Sequence, residues 1–308
     1  MRILVVGAGA IGGYFGGRMA EAGGDVTFLV RPRRAAQLAE HGLVVRSPKG
    51  DIARPVATVL ASTIPGPFDA VLLSCKAFDL DDAITSMAPA IGPGTAIVPL
   101  LNGMAHLHTL EARFGAPAVM GGQCQIAATL EPDGTIRHLN DLQAVSLGER
   151  DGTLSPRATA LAAALATAGG RASPTILQDM WEKWVFLASL AALTSSMRAA
   201  VGDVVVAGGT AVAQGLFDEA ASVAAAAGHP PRLAFTERMR GTIAQPGSTF
   251  TASMMRDIER GYRIEADHIV GDLIARGPAD GMPLFRMAYL HLKSYEARRA
   301  REQGAPPH

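Results

Sequence analysis

Cysteine is scarce: Cys75 and Cys124 are the only two in 308 residues. That is too few for a disulfide scaffold and lacks zinc-ligand spacing, which favours a reducing cytoplasm and casts both as buried apolar residues. Neither sign of charge is in excess. With 28 basic and 28 acidic residues the formal net charge is +0, so no global field recruits nucleic acid or an anionic membrane. Long apolar runs are missing as well. The uncharged stretch that might span a membrane, Trp184 to Met197, is shorter than the ~20 residues a bilayer span requires, and no basic amphipathic anchor stands out. Metal-ligand clusters are also lacking. Of eight histidines only His106 and His108 are close, at a spacing suited to one buried and one exposed position at a helix start, so no metal is expected. What remains, 48% hydrophobic and 18% charged, suits one large or two medium globular domains with ample core.

The most informative stretch is the first seventeen residues. Ile3 to Val6 read as a strand buried on both faces, and Gly7-Ala8-Gly9-Ala10-Ile11-Gly12 follows it as a Gly-x-Gly-x-x-Gly turn opening a helix. In a dinucleotide site the first glycine permits the tight turn, the second lets backbone approach a pyrophosphate, and the third lets helix pack on strand. The helix N-terminus adds free N–H donors and a positive dipole end. The segment is therefore expected to be retained rather than removed as a leader. The first helix is expected from Tyr14 to Ala22 and the second strand from Asp25 to Val30. An NAD site usually places an acid about twenty residues beyond the glycines. Here the strand ends in Arg31-Pro32-Arg33-Arg34. A 2′-phosphate would find guanidinium partners there, so the cofactor expected is NADP(H) with Arg31 as its contact; a solvated basic helix start is the plainer alternative.

Farther on, residues 43 to 56 read as a hairpin around Pro48-Lys49-Gly50, and Ala70 to Ser74 and Ala96 to Leu101 as further buried strands. They run into Lys76 and Asn102, both on the side where open parallel sheets bind ligands. Val119 to Leu130, Thr135 to His138 and Ala144 to Leu147 have strand character, so antiparallel strands are expected to extend the sheet. A helix is expected from Arg157 to Ala168 and a domain boundary near Ile176, giving domains at 1–176 and 177–303 and a tail at 304–308. The second half reads as helical, closing on a helix from Pro283 to Gln303.

Two groups there invite chemistry. Asp179 and Glu182 look like a helix cap and its reciprocal partner, followed by an apolar run that buries the helix. Lys183 would then sit in the first turns, where desolvation and the dipole favour a neutral amine, the state in which a lysine exchanges protons near neutral pH. Snorkelling to the surface is the alternative. Ser253, Asp257, Gly261 and Glu265 are spaced by four; on a straight helix Ser253 and Glu265 diverge by about 120°, so they converge only if the helix breaks at Gly261.

Together these residues resemble the ketopantoate reductase (2-dehydropantoate 2-reductase) family, over nearly the whole chain. The likeness rests on GAGAIG at 7–12, Arg31, SCKAF around Lys76, LLNGM around Asn102, WEKW around Lys183, and the Ser253, Asp257, Gly261, Glu265 series. It implies an α/β fold, with an N-terminal Rossmann domain followed by an all-α C-terminal domain, and NADPH-dependent reduction of a 2-oxo acid, 2-dehydropantoate first, as in pantothenate biosynthesis. It further implies Lys183 as proton donor, Asn102 near nicotinamide and substrate, Ser253 on substrate, Glu265 orienting ribose or substrate, and Ala127 offering backbone to the cofactor. The family's substrate-binding asparagines are replaced by Leu187, Ala191 and Val201, which points to a less polar substrate. A β-hydroxyacid or opine-type dehydrogenase, and an inactive NADP(H)-binding sensor, are the other readings. A helical domain of this kind often buries an apolar face against a second copy, so a homodimer is one expectation.

Overall fold

The computed structural model describes residues 1–304, in two compact units: residues 1–101 with 106–177, and residues 102–105 with 178 onward. In chain order the first unit contains β1 (Arg2–Val6), α1 (Ala10–Glu21), β2 (Asp25–Leu29), α2 (Pro32–His41), β3 (Leu43–Arg46), β4 (Ile52–Arg54), β5 (Ala57–Val59), β6 (Ala70–Leu73), α3 (Leu80–Met87), β7 (Ala96–Pro99), α4 (Ala105–Phe114), β8 (Gly121–Leu130), β9 (Ile136–Gly148), α5 (Pro156–Ala164) and β10 (Gly170–Ala172).

Five strands form a parallel sheet in the order β5-β2-β1-β6-β7. Ile3 to Val6 and all of β6 and β7 are buried, as contiguous apolar runs in a sheet covered on both faces should be. The pairing of Val6 with Leu29 and Leu73, and of Leu73 with Pro99, brings the carboxyl ends of β1, β2, β6 and β7 to one edge. The other strands do not extend this sheet as expected. They form a second one, β10-β9-β3-β4 with β8 added on β9, and among the described residues an isolated bridge, Ile97 with Val119, links the segment before β8 to the first. The hairpin of β3 and β4 is present. The two stretches read as Thr135–His138 and Ala144–Leu147 are one strand, β9, whose register against β8 jumps between Ile126 and Ala128.

α1 begins four residues earlier than read, because the glycine turn itself closes the first helical bond, Gly13 N–H to the Gly9 carbonyl at 2.8 Å. The helix lies between the sheets, with Phe28 of β2 against its small-residue face on one side and Leu43 of β3 and Ile136 of β9 on the other. α5 ends at Ala164, short of the expected Ala168; a 3-10 turn at Ala166–Ala168 completes the stretch. His106 is buried and His108 exposed at the start of α4, as their spacing suggested. Cys124 is buried, but Cys75, at the strand end, is only half-buried.

The second unit is helical: α6 (Ile176–Met197), α7 (Val201–Val206), α8 (Thr210–Ala226), α9 (Leu233–Ile243), α10 (Ser253–Glu259), a π-turn at Asp267–Gly271 leading into α11 (Asp272–Arg276), and α12 (Pro283–Glu302). Among the described residues no helix is long and apolar enough to cross a membrane.

Candidate active site

The glycine turn leaves β1 with Gly7 at φ +92°, its N–H donating to the Leu29 carbonyl at 2.9 Å. Only glycine adopts that conformation without strain. Gly12 is demanded by space instead: a Cβ there would lie 2.2 Å from both the Gly7 carbonyl oxygen and Ser74 Oγ. Gly9 is required by neither. Its φ of −83° and ψ of −162° suit any residue, and a Cβ would meet no protein atom within 4 Å. The helix N-terminus has no side-chain cap, so its first N–H groups have no competing side-chain acceptor. A turn with an unexplained glycine beside an uncapped helix end fits a pyrophosphate.

Arg34, the last arginine of the basic run, has a structural place of its own. From α2 its Nε donates to the Ala8 carbonyl at 3.1 Å and its Nη1 to the Gly134 carbonyl at 3.0 Å, so it braces the glycine turn. Burial lowers its pKa. Arg31 is exposed at the N-cap of α2, and its Nη2 donates to Asp79 at 3.0 Å and Asp82 at 2.7 Å. Those bonds, Asp82's first, raise its pKa. Lys76 is exposed, just beyond β6 at the same sheet edge. Ala127 sits where the β8–β9 ladder is interrupted, so its backbone lies outside the regular pairing.

In the helical unit everything turns on α6. From Asp179 to Ser195 every residue is buried except Lys183, Phe186 and Leu187, spaced i, i+3 and i+4 and so on one face. Lys183 lies about two turns inside the helix, which starts at Ile176 and not at the supposed cap. Asp179 and Glu182 do not cap it. Both hold Arg232: its Nη2 donates to Asp179 at 2.7 Å, and its Nε and backbone N–H each donate to Glu182 at 2.8 Å. The acids nearest in sequence to Lys183 are thereby occupied, and among the described residues Lys183 has no hydrogen-bond or ion-pair partner.

Burial would raise the Glu182 pKa, but the bonds from Arg232 outweigh it and hold the carboxyl below its ordinary value. The stability this confers is full above the unfolded glutamate pKa of about 4.3 and is lost as pH falls through the lower folded value. Arg232→Ala is therefore expected to cost about 2 kcal/mol in urea unfolding at neutral pH, discounted for the half-exposed arginine. The deficit should shrink as the solution is acidified and the Glu182 carboxyl takes up a proton. A deficit that is flat with pH would contradict this.

Two bonds tie the rest of the site to α6. Thr194 Oγ1 accepts from the Ala252 N–H at 3.2 Å, fixing the start of α10, where half-buried Ser253 is the first residue. Trp184, beside Lys183, donates through Nε1 to the Ile269 carbonyl at 3.0 Å, holding the turn after Glu265. The helix does break at Gly261, which has φ +71°; α10 ends at Glu259 and Glu265 is buried beyond the break. α12 clamps this segment. Arg299 Nε donates to the Gly261 carbonyl at 2.7 Å, the Tyr295 hydroxyl to the Tyr262 carbonyl at 2.8 Å, and Tyr289 and Lys293 to Asp267 at 2.5 and 3.0 Å.

Asn102, just beyond β7, belongs to this unit through His268. The His268 ring is hydrogen-bonded to the Asn102 backbone, and burial, the leading influence, lowers its pKa despite Glu265 and Asp272 nearby. At Gly103, φ +81°, a Cβ would fall 2.9 Å from the His268 carbonyl oxygen. Asn102, Lys183, Ser253 and Glu265 thus all belong to the helical unit, with the Asn102 backbone and Glu265 both near His268. Sequence reasoning missed His268, Trp184 and Thr194, although the first lies only three residues from Glu265. Of the replaced asparagine positions, Leu187 is half-buried on the Lys183 face, whereas Ala191 and Val201 are buried.

Comparison with known proteins bears on this arrangement. The family profile "Ketopantoate reductase PanE/ApbA" matches residues 3–152, and its C-terminal counterpart matches residues 175–295. The chain is 35% identical to an uncharacterized oxidoreductase, YkpB, of Bacillus subtilis, over 96% of this chain and 99% of that one. It is 29% identical to a 2-dehydropantoate 2-reductase of Mesorhizobium japonicum, over 88% and 89%. The crystal structure of 2-dehydropantoate 2-reductase from Methylococcus capsulatus superposes with a TM-score of 0.87 at 27% identity, over 99% of this chain and 100% of that one. With both halves of its length matched, the chain belongs to the ketopantoate reductase family of oxidoreductases, which act on a CH–OH group and use a nicotinamide dinucleotide.

Proposed function

We propose that this protein reduces a 2-oxo acid to the 2-hydroxy acid with NADPH, and that 2-dehydropantoate is its first candidate substrate. The observation that carries the reading is Lys183: an unpaired amine at one end of the single opening in an otherwise buried helical stretch. A bound reduced nicotinamide would supply hydride to the ketone carbon. The chain's own residues must then deliver one proton to the ketone oxygen, and Lys183 Nζ–H is the donor, leaving a neutral amine that is reprotonated from solvent. Ser253 Oγ offers a hydrogen bond to the substrate carboxylate, Asn102 an amide to the ketone, and Glu265 an acceptor for a substrate or ribose hydroxyl. Gly7 to Gly12 would hold the pyrophosphate, Lys76 and Ala127 would contact the cofactor, and Arg31 the 2′-phosphate.

Leu187 supports a second reading of the same reaction. It occupies the Lys183 face where an amide would serve a polar substrate, and so favours a 2-oxo acid with an apolar arm. Steady-state rates of NADPH oxidation with 2-dehydropantoate and a series of 2-oxo acids of graded polarity test both. Leu187→Asn is expected to shift the kcat/KM ratio of 2-dehydropantoate to an apolar 2-oxo acid upward by about tenfold. An unmoved ratio would remove Leu187 from the substrate contacts.

The relatives' enzymatic names and the absence of a membrane-spanning helix among the described residues suit a cytoplasmic enzyme of pantothenate biosynthesis with a small-molecule partner. A homodimer is part of the proposal, and light scattering over a concentration series tests it.

A further inference from the structure

The turn after β2 lacks the acid that an NAD site carries, yet the fold brings two acids to it from elsewhere. Asp79 closes the turn after β6 and Asp82 lies in the first turn of α3. Both meet the one nitrogen Nη2 of Arg31, at 3.0 and 2.7 Å. We infer that Asp79 and Asp82 are specificity-determining residues that narrow the preference for NADPH over NADH. This rests on the reading of Arg31 as the 2′-phosphate contact.

The argument is one of donor geometry. A guanidinium binds phosphate bidentately either through Nε and Nη2 or through Nη1 and Nη2. Each mode uses an Nη2 hydrogen, and Nη2 has two, one for each carboxylate. A phosphate gains a bidentate grip on Arg31 only by displacing Asp79 or Asp82. The displaced carboxylate then stays close to the incoming dianion as an unfavourable like charge. Arg31, Asp79 and Asp82 together carry a net charge of −1, so the group offers the phosphate much less attraction than an unpaired arginine would. A ribose 2′-hydroxyl meets no such competition, because either carboxylate can accept its proton, as the acid at the end of β2 does in NAD sites. Neither acid is needed by the fold for another purpose: Asp79 makes no side-chain cap to α3, and Asp82 is 63% exposed.

The test is the dissociation constant of each dinucleotide, measured by titration calorimetry on the full chain for wild type, Asp82→Asn, the double variant Asp79→Asn/Asp82→Asn, and Arg31→Ala. Circular dichroism confirms that each variant is folded, and the exposed single substitution serves if the double does not fold. The inference predicts that NADPH binding tightens about fivefold in the single variant and about tenfold or more in the double, scaled from the modest strength of exposed ion pairs. NADH affinity should hold or weaken slightly, and Arg31→Ala should weaken NADPH selectively. A ratio of the two affinities that is unchanged, or that moves toward NADH in the double variant, overturns the inference while leaving the cofactor site intact. Wild-type protein that binds neither dinucleotide overturns the underlying reading and this one with it.

Discussion

Lys183→Ala is expected to lower kcat for 2-oxo acid reduction by about 10²- to 10⁴-fold, the range that removal of a positioned general acid produces. NADPH affinity should be nearly unchanged. The lysine stands free because Arg232 engages the two acids beside it, and it stands accessible because Phe186 and Leu187 complete the only gap in the burial of Asp179 to Ser195. Lys183→Arg keeps the charge but not the chemistry, since a guanidinium does not give up a proton near neutrality; it should rescue substrate binding and not turnover. Pre-steady-state rates with and without substrate separate the two effects. An alanine variant with turnover within a few-fold of wild type would remove Lys183 as the proton donor and assign that role to another group.

The second large effect is expected at the glycine turn, where substitutions three residues apart should part company. Gly12→Ala forces a methyl into backbone and Ser74, 2.2 Å from each, and is expected to cost about 3 kcal/mol of stability together with dinucleotide binding. Gly9→Ala meets no protein atom in a backbone conformation alanine accepts, so its melting temperature should stay at the wild-type value. It should nonetheless lose about tenfold or more in NADPH affinity if the pyrophosphate lies against that face. Calorimetric melting and cofactor titration on the two variants suffice. A Gly9→Ala protein that binds normally would mean that the turn serves the fold alone.

What could be read in the sequence was local. β1, β6 and β7 declare themselves as apolar runs because both faces of their sheet are covered, and the glycine turn and the break at Gly261 follow from the backbone those glycines permit. The second sheet was not legible, because pairing of β3 with β9 spans some ninety residues and nothing in either strand announces it. β9 reads as two strands because its middle, residues 139–142, lies outside the ladder with β8. Charged groups misled in a consistent way. Asp179 and Glu182 imitate a helix cap but serve an arginine about fifty positions on, and Arg31 looks like an uncommitted cation until Asp79 and Asp82 reach it through space. Lys183, Asn102, Ser253 and Glu265 could be named singly, but the bonds from Trp184 to Ile269 and from Ala252 to Thr194, and the place of His268 beside Asn102 and Glu265, are properties of the packed helices.

The central claim is hydride transfer to the carbonyl carbon of a 2-oxo acid, and the most direct measurement is isotopic. NADPH deuterated at the transferring position is incubated with the protein and with 2-dehydropantoate or an apolar 2-oxo acid, and the product is read by mass spectrometry. The account predicts a 2-hydroxy acid carrying one deuterium on the former ketone carbon, formed at a rate that collapses with Lys183→Ala. Tight NADPH binding with no labelled hydroxy acid from any 2-oxo acid would contradict it.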